Sequence, residues 1–137
     1  MTRAGAEKLI RTYYARFNAR DVDGFLGLLT ADVVHDISQG GSEKGKPAFG
    51  RFLRRMNDCY KETVFDLVVM SSPDGRRAAA EFDLRGKYMK TDGALPPAKG
   101  QKYKLRVGAF FEIRRGKVAR VSNHYNMNDW LRQVRAG

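Results

Sequence analysis

The sequence predicts an α+β fold: a cone-shaped, curved antiparallel sheet with three N-terminal helices over its concave face. Three observations carry this expectation. Up to Tyr60, apolar residues recur at spacings of three and four, the mark of amphipathic helices. After Tyr60 the period drops to two and the runs become long and rich in β-branched residues. Ser71–Gly75 and Arg115–Lys117 then read as turns between those runs. At 137 residues the chain supports one core, hence a single domain spanning 1–137.

The elements follow in order. Residues Ala4 to Asn18 place Leu9, Ile10, Tyr13, Tyr14 and Phe17 on one helical stripe. Asp21 is suited to cap a shorter second helix carrying Val22, Phe25, Leu26 and Leu29. Val33 to Ile37 forms a strand and Gly40 to Lys46 a turn. Pro47 opens a third helix, where its missing N–H costs nothing, and Phe49, Phe52, Leu53 and Met56 face inward. Val64 to Met70 reads as a strand with both faces at least partly covered. Ala79 to Tyr88 alternates, with Ala80, Phe82, Leu84, Gly86 and Tyr88 inward. A long loop over 91–100 is placed at a pocket rim. Tyr103, Leu105, Val107, Ala109, Phe111 and Ile113 form the next inward face, and Val121, Asn123 and Tyr125 the last. Asn128 to Leu131 closes the chain with a helical turn. The outward charges form cross-strand pairs, Asp83 with Arg106 or Lys104 and Glu112 with Arg120. Phe110, alone among charged neighbours on the outer face, points to a homodimer through the convex face of the sheet.

Composition excludes several classes of function. The net charge of +11 invites a polyanion, but the basic residues are dispersed and no nucleic-acid motif accompanies them, so sequence-directed binding is not expected. Cys59 is the one cysteine and no zinc-type spacing exists, so neither a disulfide nor a metal is implied. The basic start lacks a following apolar run and no stretch approaches a membrane span; the expectation is a cytoplasmic protein. Gly40, Gly45 and Lys46 match part of a phosphate-binding loop, but Pro47 stands where a metal-binding hydroxyl belongs.

Asp36 is the residue on which function turns. Alternation puts it on one face with Val34, and Val33, His35 and Ile37 on the other. If its face looks into a pocket, a carboxylate walled by apolar groups has a raised pKa and can move protons. Otherwise it ends a strand and accepts hydrogen bonds from the turn.

Tyr13 through Gly24 and Ala31 through Asp36 resemble the first helix and first strand of the Δ5-3-ketosteroid isomerases, members of the nuclear-transport-factor-2-like superfamily. The whole chain is also similar to a ketosteroid-isomerase-related, SnoaL-like bacterial group. The resemblance implies an isomerase or lyase that moves a proton next to a carbonyl of an apolar small molecule, without a cofactor. Asp36 matches the base and Tyr13 the oxyanion-hole phenol, while Ala109 stands where the second, acidic donor belongs. Asn123, opposite Ala109 on the inward face, is the candidate replacement, and His124 points outward. Tyr14, Val34, Phe82, Leu84, Tyr88, Val107, Ala109, Phe111 and Tyr125 complete the expected pocket lining. With the acid missing, a non-catalytic pocket protein is the alternative. An epoxide-hydrolase reading lacks its inward-facing Asp-Arg-Asp set. On the pocket-facing reading, Asp36 has a raised pKa and Asp36→Asn is neutral or stabilising near neutral pH.

Overall fold

The computed structural model describes residues 1–137. Helix α1 spans Arg3–Ala19 and begins at Thr2, whose side chain accepts from Gly5 N. It ends where Arg20 turns left-handed at φ 57°. Asp21 caps the five-residue α2, Val22–Leu26, by accepting from Gly24 N at 2.9 Å. Strand β1, Leu29–Asp36, turns back through the short β2, Ser42–Lys44, into helix α3, Lys46–Cys59, which has proline in its first turn. Four long elements then build most of the sheet: β3 Tyr60–Ser71, β4 Arg77–Tyr88, β5 Gln101–Arg114 and β6 Lys117–His124. The closing turn is in fact a ten-residue helix, α4, Met127–Ala136, capped by Asn126.

The six strands form one curved, unclosed sheet in the order β2-β1-β6-β5-β4-β3. Every pairing is antiparallel except β1 with β6, which run parallel, so the sheet is mixed. The chain reaches that edge through the helices and the long meander, a connection that allows parallel neighbours. The apolar stripe of α1 packs over β3 and β4, and α3 covers β1 and β3.

Two bulges decide which side chains enter the cone. In β3, Phe65 pairs with Asp83 but Val68 pairs with Glu81, so Asp66 and Leu67 share one partner position. Asp66 takes φ 53° to make that step. Inward positions therefore change from Tyr60, Glu62 and Val64 to Leu67 and Val69. As a result Val68 and Met70 are exposed, and the expected cover on both faces of β3 is absent on the convex side. The second bulge lies in β6. Arg114 pairs with Lys117 across a two-residue turn, and Ala119 is the extra residue between Val118 and Arg120. The tight turn and the bulge together produce the register that a three-residue turn would give, so Asn123 does lie opposite Ala109.

The same register overturns the inward placement of Asp36. His35 pairs with Val121, and both are buried; Asp36 pairs with Ser122 on the convex face. Asp36 accepts hydrogen bonds from Arg120 Nε at 2.8 Å, Ser122 Oγ at 2.6 Å and Ser42 Oγ at 2.5 Å. These partners hold its carboxyl well below the usual carboxylate range, Arg120 first among them, so the expected upward shift is reversed. A carboxylate is far costlier to bury than a neutral imidazole, and the ligands for it, Arg120 and Ser122, are on the outer face. Val34, which shares that face, is likewise outside the pocket.

Asp36 thus ties β2, β1 and β6 together. Asp36→Asn is expected to destabilise the fold by about 1 kcal/mol at pH 7, the net worth of a partly exposed charge-assisted cluster. That loss should shrink as pH falls below ~4, where the unfolded chain takes up a proton that the folded carboxyl does not, and it disappears only once the folded carboxyl is itself protonated. Urea midpoints of the two proteins at pH 7 and pH 3 check both statements.

Candidate active site

The cone encloses a cavity of about 250 Å³. This is below the roughly 300–1,000 Å³ of sites for drug-sized ligands, so the occupant is compact. Of the expected residues, Tyr13, Tyr14, Phe82, Leu84, Val107, Asn123 and Tyr125 line it. Asp36 does not, for the reason given above. Ala109 is buried opposite Asn123, and Phe111 lies beneath the rings of Tyr13 and Tyr14 with centroids at 5.2 and 6.1 Å. Both are core residues, behind the lining side chains. Tyr88 is fully buried and is spent on the loop: its hydroxyl donates to Pro96 O at 2.8 Å and accepts from Asp92 N at 3.0 Å. That bond fixes the 91–100 loop at the cavity rim, where Asp92 enters the lining.

Several polar side chains in the lining were not anticipated, among them Ser38, Arg55 and three acid–base groups. The first is Glu62. It occupies a row of the sheet with Gly86 and Tyr103, in which Gly86 is the middle member. A Cβ on Gly86 would lie 2.1 Å from the Tyr103 ring. The missing side chain lets the Tyr103 ring lie across β4 and donate its hydroxyl proton to Glu62 Oε2 at 2.5 Å. Burial raises the Glu62 pKa from 4.5 to about 7, against the lowering effect of the Tyr103 hydrogen bond and the Arg20 charge. The second group is Asp92, which accepts from Tyr60 Oη at 2.8 Å and faces Arg55 Nε at 3.7 Å.

The third is His35, stacked on Phe49 at 4.3 Å and edge-on to Phe52 at 4.6 Å. Burial pushes its pKa down to about 4, so the ring is neutral at pH 7. Asn123 Nδ2 lies 3.4 Å from His35 Nε2. If the amide donates there, the ring proton is on Nδ1, an atom with no hydrogen-bond partner in the protein. Tyr14 Oη is buried without a partner as well. Burial raises the phenol pKa values of Tyr13, Tyr14, Tyr60 and Tyr103, so all four remain hydrogen-bond donors at neutral pH. No group of His, Cys, Asp and Glu side chains is arranged to hold a metal. His124 lies on the outer face against Phe110, as alternation predicts.

The model of the SnoaL-like domain matches residues 10–121. The chain belongs to the SnoaL-like family. It has the nuclear-transport-factor-2-like fold. Among solved structures, a provisionally named polyketide cyclase from Pseudomonas putida KT2440 is 53% identical, with 98% of each chain covered and a TM-score of 0.94. A second of that provisional name, from Xanthomonas campestris pv. campestris, is 46% identical over 98% of this chain and 99% of its own, with a TM-score of 0.95. A third, from Silicibacter sp. TM1040, is 42% identical over 98% of both chains, with a TM-score of 0.94. No curated protein matches the sequence. No helix is long and apolar enough to cross a membrane.

Glu62 and His35 give the pH dependence of stability two opposing slopes. A raised Glu62 pKa means the folded chain holds the extra proton, so this residue lowers stability as pH climbs from about 4.5 to about 7. A lowered His35 pKa means the unfolded chain holds it, so this residue raises stability as pH climbs from about 4 to 6.5. Glu62→Gln should therefore gain on the wild type between pH 5 and pH 8, by on the order of 2 kcal/mol. His35→Gln should expose the falling Glu62 slope. Chemical denaturation across pH 4–8 separates the two.

Proposed function

We infer that this SnoaL-like protein is an isomerase- or cyclase-type enzyme acting on a compact apolar molecule that carries a carbonyl. The observation that carries the reading is Glu62, a buried carboxyl in an apolar cavity, held by one phenol, with a pKa at about 7. A proton-transfer group works best when its pKa lies near the working pH, and few surroundings bring a carboxyl there. Ionised Glu62 takes a proton from the carbon next to the carbonyl and returns it at a second carbon, or leaves the carbanion to close a ring. Tyr13 and Asn123, which line the same cavity, donate to the oxygen of the enolate. The provisional names of the relatives, polyketide cyclases, are in keeping with carbanion chemistry of this kind. Asp36, assigned the base by resemblance, has no part in it.

The test is exchange of the α-protons of a small cyclic ketone in D2O, followed by NMR. Wild-type protein should catalyse exchange with a midpoint near pH 7. Glu62→Gln should lose about 10²-fold or more, and Asp36→Asn only what its stability loss explains. A Glu62→Gln protein that exchanges at the wild-type rate would remove the base. Ligand binding without exchange in the wild type would make the cavity a binding site alone.

The same reading includes a cytoplasmic homodimer. Phe110 is 58% exposed and lines a groove on the convex face with Met70 and Ala79. A second copy seated there would cover all three. Phe110→Asp is expected to convert a sedimenting dimer into a monomer at micromolar concentration, and a wild-type monomer under those conditions would reject the interface.

A further inference from the structure

The convex face carries an arrangement of charge that the cavity and its chemistry do not use. Lys61 on β3 pairs with Lys87 on β4, and Lys87 pairs with Lys102 on β5. Three ammonium groups thus stand directly opposite one another, all exposed. In the row two residues further along, Arg85 pairs with Lys104. Neighbouring strands are ~4.8 Å apart and alternate residues ~7 Å apart, so the five cations occupy a patch about 10 Å by 7 Å. None of the five has a carboxylate within ion-pair distance. The acids of the next two rows, Asp83 and Glu81, are both taken up by Arg106, at 3.3 and 2.9 Å.

Like charges placed directly opposite in a sheet lower stability. A row of three without a counter-charge therefore works against the fold. It belongs to a surface whose counter-charge arrives from outside.

We propose that this patch seats the phosphate backbone of duplex nucleic acid, without regard to sequence. Four features select that occupant. These side chains line none of the larger cavities, so a small anion would meet no enclosing walls, whereas an extended polyanion needs none. Four of the five cations are lysines, point charges suited to register-free pairing with phosphates; forked Arg–base pairs would be needed for sequence reading. The duplex presents about one charge per 1.7 Å of axis, dense enough to meet several of them at once. Within the patch no ring is free to stack an unpaired base: Phe65, its aromatic side chain, lies beneath Arg85 at 4.4 Å and Lys104 at 5.4 Å. The net charge of +11 adds long-range attraction. The near edge of the patch, Lys104, lies about 20 Å along β5 from Phe110, six residues away, so a dimer centred on the Phe110 groove leaves it open.

The experiment compares the wild type with Lys61→Ser/Lys87→Ser/Lys102→Ser and with a control of equal charge, Lys8→Ser/Arg11→Ser/Arg51→Ser, drawn from exposed helix positions. Binding to a 20-base-pair fluorescent duplex is followed by anisotropy between 50 and 200 mM salt. The sheet variant should bind at least tenfold more weakly at 50 mM. Its salt slope should flatten by about 2–3, since each phosphate left without its lysine removes about 0.9 from the slope. It should also melt at a higher temperature than the wild type, which shows that the weaker binding is not misfolding. The control should bind within about twofold of the wild type. Equal weakening in both variants would show that overall charge binds, with no site. Patch-dependent binding to phosphatidylserine vesicles with no binding to the duplex would assign the surface to a membrane instead. Either result overturns the proposal, as does a sheet variant that binds like the wild type.

Discussion

A carboxyl inside an apolar cone stays only if hydrogen bonds hold it or a proton neutralises it; Glu62 has the bond from Tyr103, and burial raises its pKa to about 7, so it takes up the proton below neutral pH. Its phenol partner arrives from two strands away, because Gly86 leaves the space over which Tyr103 lies. The row Glu62–Gly86–Tyr103 therefore joins three strands through one hydrogen bond. Tyr60, Tyr88 and Trp130 pack around the same end, with ring centroids 5.1–6.1 Å apart. Tyr60 and Tyr88 each send a hydroxyl to the rim loop. The position of the acid, the closure of the loop and the depth of the cavity are consequences of one packing arrangement.

The two faces of the sheet satisfy their polar groups by opposite means. Over the convex face outside the lysine row, charges are paired with charges: Asp36 with Arg120, Asp83 and Glu81 with Arg106, and Arg77 with Glu112. These pairs are exposed and individually weak. On the concave face polar groups are few, separated by aromatic rings, and two of their atoms, Tyr14 Oη and His35 Nδ1, have no partner in the protein. An unpartnered buried donor costs stability, and such costs concentrate where a ligand supplies the missing bond.

Membership of the SnoaL-like family establishes the fold and leaves the chemistry to the residues in the cone. The resemblance of the first helix and strand to the ketosteroid isomerases carries the tyrosines into the cavity intact. It fails at Asp36 because that strand presents its histidine face inward. The site keeps an acid, but on β3, facing the cavity from another wall.

Sequence alone determined the helical stripe of α1, the Asp21 and Pro47 helix starts, the long alternating strands and the Asp83–Arg106 and Glu112–Arg120 pairs. Each depends on neighbours a few residues away or on strict alternation, and both are visible in a string of letters. The parity of β1 was legible too: His35 with Val33 and Ile37, Asp36 with Val34. Which parity faces the cone was not, since it depends on Arg120 and Ser122, more than eighty residues on, waiting on the outer face. Glu62 could have been found by running the alternation of Val64 back to Tyr60, which places all three inward. Its raised pKa could not, because desolvation comes from rings on α1, α3, β4 and α4 that meet only in the folded chain. The bulge at Asp66 was equally hidden. Asp66 visibly interrupts the β-branched run, but a single polar residue does not say that a bulge forms there, and that bulge decides which side chains of β3 see the cavity and which see water.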